Sequence, residues 1–319
     1  ESRSRRFAVD DVIDSRVNGS QELFFARVGE DLVQRSAKGY NVCIFAYGHT
    51  GSGKTHTMLG SGQALIPGIQ GEGSGLLPRF LLALDAQLNE AGQTPNYNCE
   101  FFEVYNERIR DLLAPPNQKD HERTRNVHVH PKHGVIIDDM HPSAVTKIQE
   151  ALDLVRLGNQ IRTVSSTTMN QRSSRSHAIF RFKFEIRETS PGSGDGRQST
   201  ITFVDLAGRE DQGASQNSAT QFKEMVSINM SLFHLASTIS KLSEGASSAG
   251  SLADFRNSKL TLLLSQALMG NSSTTVVCTL TPLADFFDDT VSTLSFAQTA
   301  KRIRTSPVLN KGRRDIIAE

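Results

Sequence analysis

The chain has 319 residues, of which 37% are hydrophobic and 22% charged, and its formal net charge is +1. This length allows two average domains or one large α/β domain with a sizeable core, and the composition excludes a disordered or fibrous chain. The near-neutral balance excludes a global pull toward nucleic acid or membrane, so an acidic partner must be met by a local patch.

No run approaches the ~20 apolar residues of a membrane span and no basic-then-apolar signal opens the chain, which predicts a cytoplasmic setting. Cys43, Cys99 and Cys278 sit in apolar runs without CxxC pairing and read as reduced core residues. Strand-like and helix-like segments alternate along the chain, predicting a sheet with helices on both faces. Residues 7–9 (FAV) are strand-like, and residues 40–47 (YNVCIFAY) make an apolar strand ending at Gly48. Residues 178–187 alternate in the manner of a half-exposed strand, whereas 199–205 and 274–281 read as buried strands. Between 222 and 242, Met225, Ile228, Leu232, Leu235, Ile239 and Leu242 recur at spacings of three and four, one face of a long helix. The Gly/Ser/Pro-rich stretches 60–75, 190–199 and 244–254 are of loop length, and apolar segments resume after each. They read as surface loops within one domain, not linkers.

The strongest chemical signal is Gly48-His49-Thr50-Gly51-Ser52-Gly53-Lys54-Thr55, a complete GxxxxGK[ST] placed between a strand and the helix-competent His56-Thr57-Met58. Glycines let successive backbone N–H groups converge on a β-phosphate, and a helix N-terminus adds its positive dipole end. Lys54 then reaches the β- and γ-phosphates and the Thr55 hydroxyl serves Mg²⁺. Asp205-Leu206-Ala207-Gly208 follows a β-branched and aromatic run, as expected of a segment that brings an Asp to the Mg²⁺ water shell and a Gly N–H to the γ-phosphate. DxxG alone is a weak signal, equally a strand-end turn; the phosphate loop gives it weight. No NKxD is found, which counts against a guanine-specific switch protein. His128-Val129-His130 with His133 nearby reads as a partly exposed strand rather than a metal site.

Asn170-Gln171-Arg172-Ser173-Ser174-Arg175-Ser176-His177 resembles the NxxSSRSH switch I of kinesins. With the phosphate loop and residues 205–210 it makes three kinesin signatures in the right order. Ile228-Asn229-Met230-Ser231-Leu232 is similar to the family's INKSL, and Phe255-Arg256-Asn257-Ser258-Lys259-Leu260-Thr261 to its YRDSKLT. Residues 39–48 and 105–113 are most like the kinesin-3 subfamily, and the likeness runs over about residues 7–305.

The resemblance implies a kinesin-like P-loop NTPase fold, a central mixed β-sheet flanked by helices, with residues 1–305 as motor domain and 306–319 as a neck-linker-like segment. It implies ATP/ADP and Mg²⁺ as ligands. Ser174 would ligate Mg²⁺ beside Thr55, with Asp205 acting through water. Ser173 would contact the γ-phosphate or lytic water, and Arg175 with Glu210 would form the salt bridge closing two switches. His56 would lie near the adenine. The implied output is a microtubule-stimulated ATPase on the cytoskeleton, with a C-terminal neck resembling plus-end-directed members; a dimeric full-length protein is left open. Two rivals remain, a kinesin-shaped nucleotide-gated binder with little motility and a non-kinesin P-loop enzyme such as a small-molecule kinase.

Three departures qualify the match. The family's first strand with its RxRP segment is missing, read here as truncation or a base site built differently. Arg209 stands where the family has Ser, either solvated or competing with Arg175 for Glu210. Residues 205–270 hold five basic and six acidic residues, Met230 replaces the Lys of INKSL, and the loop 244–254 has no lysine. Positive charge gathers instead at 301–314, with six basic residues and no acid. Weak, salt-sensitive binding to acidic microtubules is expected, with no nucleic-acid or membrane contact by this domain.

Overall fold

In the computed structural model, residues 5–18, 20–61, 73–115, 125–130, 134–167, 175–187, 196–208, 219–245 and 252–311 are described. Among them, β1 (Val42–Tyr47) is the hinge of the architecture. It runs parallel to β8 (Arg197–Asp205) on one side and to β9 (Ser273–Cys278) on the other. Beyond β8 the sheet turns antiparallel through β7 (His177–Ile186), β2 (Asn96–Tyr105) and β3 (Arg108–Asp111), in the order β3-β2-β7-β8-β1-β9. The short β6 (Ser143–Val145) also pairs with β2, and β4 (Val127–His130) and β5 (Gly134–Ile137) form a separate hairpin. The sheet is mixed, as the sequence predicts.

The period-2 alternation of β1 sorts its side chains into two cores. Ile44 and Ala46 point into a core shared with α1 (Glu30–Ala37), α2 (Lys54–Leu59), α3 (Leu76–Glu90) and α4 (Ile148–Thr167). Cys43, Phe45 and Tyr47 point into the opposite core, built with α5 (Ala219–Ser243), α6 (Lys259–Met269) and α7 (Phe287–Ala300). Every residue of β1 is buried, as its uninterrupted apolar sequence requires of a central parallel strand. On α5, Ile228, Leu232, Leu235 and Ile239 are buried at the anticipated spacing.

Two expectations fail. β9 is largely half-buried, because among the described residues it ends the sheet and one of its edges lacks a neighbour. Residues 7–9 form no strand; residues 5–14 find no ladder partner among the described residues, and Asp10 pairs instead with Lys301 at 2.9 Å. The loop readings for 60–75, 190–199 and 244–254 fall mostly outside the described residues.

After α7 the chain does not leave the domain. The Ser306 N–H donates to the Gly270 carbonyl (3.1 Å) and the Val308 N–H to Asn271 Oδ1 (2.9 Å). Asn310 then inserts between two elements. Its N–H donates to the Gly39 carbonyl (3.1 Å) and its carbonyl accepts from the Gln198 N–H (3.1 Å). Its side-chain amide donates to the same Gly39 carbonyl (2.8 Å) and to Asn41 Oδ1 (3.1 Å). Replacing Asn310 with Ala removes the two amide bonds and should cost about 1–2 kcal/mol of docking. That is a roughly 5–30-fold shift toward an undocked segment, readable as a broadened distance distribution between spin labels at positions 38 and 306. An unchanged distribution would refute the role given to this side chain.

Candidate functional site

The parallel strands β1 and β8 deliver two loops to the same edge of the sheet, the carboxyl-end crevice where open α/β sheets take ligands. Gly53, at φ 100°, adopts the left-handed backbone that turns the loop into α2, a conformation costly for a residue with a Cβ. Lys54 is buried, with Nζ donating to the carbonyls of Gly48 (3.0 Å) and His49 (2.8 Å), so its ammonium lies across the loop's mouth. Thr55 follows on the first turn of α2 and donates from Oγ1 to Asp205 Oδ2 at 2.7 Å. Gly208 lies directly on the loop, where a Cβ would collide with the side chain and Cα of Thr50. The structure therefore brings Lys54, Thr55, Asp205 and Gly208 together, as the sequence reading requires.

The oxygen donors fit a hard cation. Thr55 supplies a hydroxyl and Asp205 a carboxylate, the pairing suited to Mg²⁺. Asp205 Oδ1 is buried and has no hydrogen-bond partner among the described residues, an orphan acceptor at the predicted place. His56 is exposed on α2, its carbonyl accepting from Gln21 Nε2 (2.8 Å). Ser173, Ser174, Arg209 and Glu210 lie outside the described residues, and with them the Arg175–Glu210 bridge and the competing role of Arg209. Arg175 itself is described, half-buried at a cleft it shares with Glu107, His177 and Ser231.

Two functional side chains escape the sequence reading. Arg162 of α4 is buried and donates from Nη1 to Asp205 Oδ2 at 2.8 Å and from Nη2 to the Ser176 carbonyl at 3.0 Å. It supplies the positive charge that a buried Asp205 demands. The helical spacing around Arg162 gives no cue, since an arginine in an amphipathic helix normally reads as solvated; a buried carboxylate seeking a partner is the only signal. His177, the last residue of the SSRSH run, is the second. Its Nδ1 accepts from the Ala207 N–H (3.0 Å), and its Nε2–H donates to Ser231 Oγ (2.8 Å), whose hydroxyl in turn donates to the Ile228 carbonyl (2.7 Å). One ring thus joins β7, the DxxG segment and α5.

Burial, with Arg162 and Lys54 nearby, pushes His177 down from 6.5 to about 3. The folded ring is neutral and the unfolded one protonates near 6.5, so its contribution is full above 6.5 and is lost as pH falls toward 3. Unfolding free energy should decline over that window with a slope approaching ~1.4 kcal/mol per pH unit, and a His177→Asn variant should lose this component. Equal slopes for the two proteins in urea titrations between pH 7 and 5 would overturn it.

Elsewhere, β4 exposes His128 and His130 on one face, as predicted, with His128 Nε2 at 2.7 Å from Asp138 Oδ2. His133 lies outside the described residues, and no metal-binding cluster occurs among those described. The three cysteines are free, Cys43 and Cys99 buried and Cys278 half-buried, and burial pushes each thiol up to about 12. No described helix is long and apolar enough to cross a membrane.

Comparison with known proteins agrees with this geometry. The family model for the kinesin motor domain matches residues 1–303. Human kinesin-like protein KIF13A is 37% identical over 298 residues, covering 91% of this chain and 16% of the relative. Rat KIF1A is 37% identical over 305 residues, covering 92% and 17%. The chain thus spans about a sixth of the length of these curated relatives. Among solved structures, a fast kinesin superposes with a TM-score of 0.80 at 33% identity, covering 94% of this chain and 81% of that one. A KIF14 dimer, in its two-heads-bound state with AMP-PNP in complex with a microtubule, gives 0.79 at 34% identity, covering 93% and 82%. Motif order, sheet topology, the convergence of two loops on one crevice and these matches agree: the chain belongs to the kinesin motor domain family.

Proposed function

We propose that this chain is a microtubule-stimulated ATPase in which γ-phosphate sensing by two switch segments controls a filament-binding surface and the C-terminal segment, giving plus-end-directed movement. The observation that carries the reading is the convergence of Gly208 on Thr50 and of Asp205 on Thr55 beside Lys54. The bound nucleotide is ATP or ADP with Mg²⁺. Thr55 and Ser174 would hold the ion, with Asp205 acting through water, and when bound it neutralises charge on the β- and γ-phosphates.

The chain's own groups then do positional work. Lys54 exchanges the carbonyls of Gly48 and His49 for phosphate oxygens, and backbone N–H groups of the loop orient the β-phosphate. Ser173 orients the attacking water, and Arg175 with Glu210 closes the site around it. Because phosphoryl transfer gains chiefly from positioning and charge stabilisation, a closure that forms only around the triphosphate is itself the catalytic device. His177 carries that closure to α5 through Ser231, and the segment ending at Asn310, docked on Gly39 and Gln198, is the mechanical output.

The filament contact we propose is weak and salt-sensitive, since residues 205–270 carry no excess of positive charge. A second reading, a nucleotide-gated microtubule binder without motility, is favoured by one observation. Val226, Met230 and Phe233 are exposed at i, i+4 and i+7 on α5, and apolar contacts are not screened by salt. Steady-state ATPase with and without microtubules, run beside co-sedimentation at rising ionic strength, separates the two. We expect stimulated turnover, abolished by Lys54→Ala, and binding that fades as the Debye length drops from about 10 Å at 0.1 M toward about 3 Å at 1 M. Complete sedimentation at high salt with no stimulation of turnover would favour the second reading and sink the first.

A further inference from the structure

We infer that His49 and Phe286 are positioning residues whose ring stack ties the phosphate loop directly to α7, so that nucleotide occupancy reaches the C-terminal segment by a route independent of α5. The inference rests on the functional reading proposed above, in which γ-phosphate sensing controls the C-terminal segment. The two rings lie 4.4 Å apart between centroids with an interplanar angle of 11°, a near-parallel stack. His49 is only 5% exposed, and its Nδ1–H donates to the Thr50 carbonyl, which fixes the ring plane relative to the loop backbone. Nε2 is buried without a hydrogen-bond partner among the described residues. A phenyl ring would stack equally well without stranding a polar atom, so the position trades that cost for the hold of Nδ1 on the loop.

Phe286 is the residue immediately before α7 and closes the 3₁₀ turn Ala284–Phe286, its N–H donating to the Leu283 carbonyl at 3.1 Å. The attachment is reinforced on both sides. Tyr47, just before the loop, stacks on Phe296 of α7 with centroids 3.8 Å apart and planes at 9°. Ser52 Oγ and Thr279 Oγ1 share a hydrogen bond of 2.6 Å, and the Thr279 N–H donates to the Tyr47 carbonyl at 2.9 Å. These contacts hold the loop against α7 and against the segment that leads into it. Thr50, whose carbonyl anchors the His49 ring, is also the residue against which Gly208 abuts. A continuous path of contacts runs from Gly208 through Thr50, His49 and Phe286 into α7, and from α7 into residues 301–311. Its far end is the element with two arrangements that such coupling needs, a segment docked or released.

The test uses the full 319-residue chain with spin labels at positions 38 and 306, read with ADP and with a non-hydrolysable ATP analogue. In the unsubstituted protein the docked-to-undocked ratio should differ between the two nucleotides by about 5–150-fold. Phe286→Ala should bring the two ratios to within about twofold of each other, while Phe286→Tyr, which keeps the stack, should preserve the difference. Adding His49→Ala to Phe286→Ala should change the ratio no further, the signature of two residues acting as a unit. Phe286→Leu reads the same quantity should the alanine variant fail to fold. No nucleotide dependence in the unsubstituted protein would sink the functional reading and the inference together. A dependence that survives Phe286→Ala, or that is lost equally in Phe286→Ala and Phe286→Tyr, overturns the inference and leaves the functional reading standing.

Discussion

A Gly208→Ala variant should bind ADP but turn over ATP about 10²–10³-fold more slowly, the scale of losing one preorganised donor to a developing charge. The added methyl would occupy the space of the Thr50 side chain and its Cα. A backbone atom cannot be moved aside without displacing the phosphate loop, so the DxxG segment would be held back from the γ-phosphate. The diphosphate relies on Lys54 and the loop N–H groups, which the methyl does not touch. Single-turnover hydrolysis beside a fluorescent-ADP titration checks both halves. A turnover within about threefold of the parent would show that Gly208 does not close on the nucleotide.

Arg162→Ala should lower unfolding stability by about 3–5 kcal/mol, because it strands a carboxylate that is itself buried. The loss should shrink when Mg²⁺ and nucleotide are added, since the cation offers Asp205 a second source of positive charge. It should also shrink in an Arg162→Ala, Asp205→Asn double variant, which leaves no charge unpaired. Denaturant unfolding of the three proteins, each with and without Mg·ADP, provides the measurement. A single-variant loss below ~1 kcal/mol would mean that Asp205 finds compensation elsewhere.

These two residues also mark where the sequence is legible and where it is not. The phosphate loop announces itself because its chemistry is local: glycines, a lysine and a hydroxyl must be adjacent in sequence to be adjacent in space. Gly208 is legible for the same reason, three residues beyond the end of a strand whose β-branched run is plain. The long helix around Leu232 and Leu235 declares its buried face through spacing alone. Arg162 and His177 act across the fold, on Asp205 and on Ser231 respectively, and no local pattern encodes a partner 43 or 54 positions away. The error at β9 has a related cause. An apolar run shows that a strand can be buried on both faces but not where it falls in the sheet, and Thr274, Thr275 and Val276 look the same at an edge as at the centre. His49 hides for the opposite reason: a motif position that admits any residue gives no hint that its ring reaches Phe286.

The burial of Cys43 and Cys99, with Cys278 half-buried, has a practical reach. With each thiol pushed up to about 12, only about one molecule in 10⁵ carries the reactive anion at pH 7. Maleimides and mild peroxide should therefore pass these sulfurs by while the domain stays folded. A single engineered surface cysteine should therefore be conjugated in preference to the native ones, which a maleimide titration of the unsubstituted domain checks.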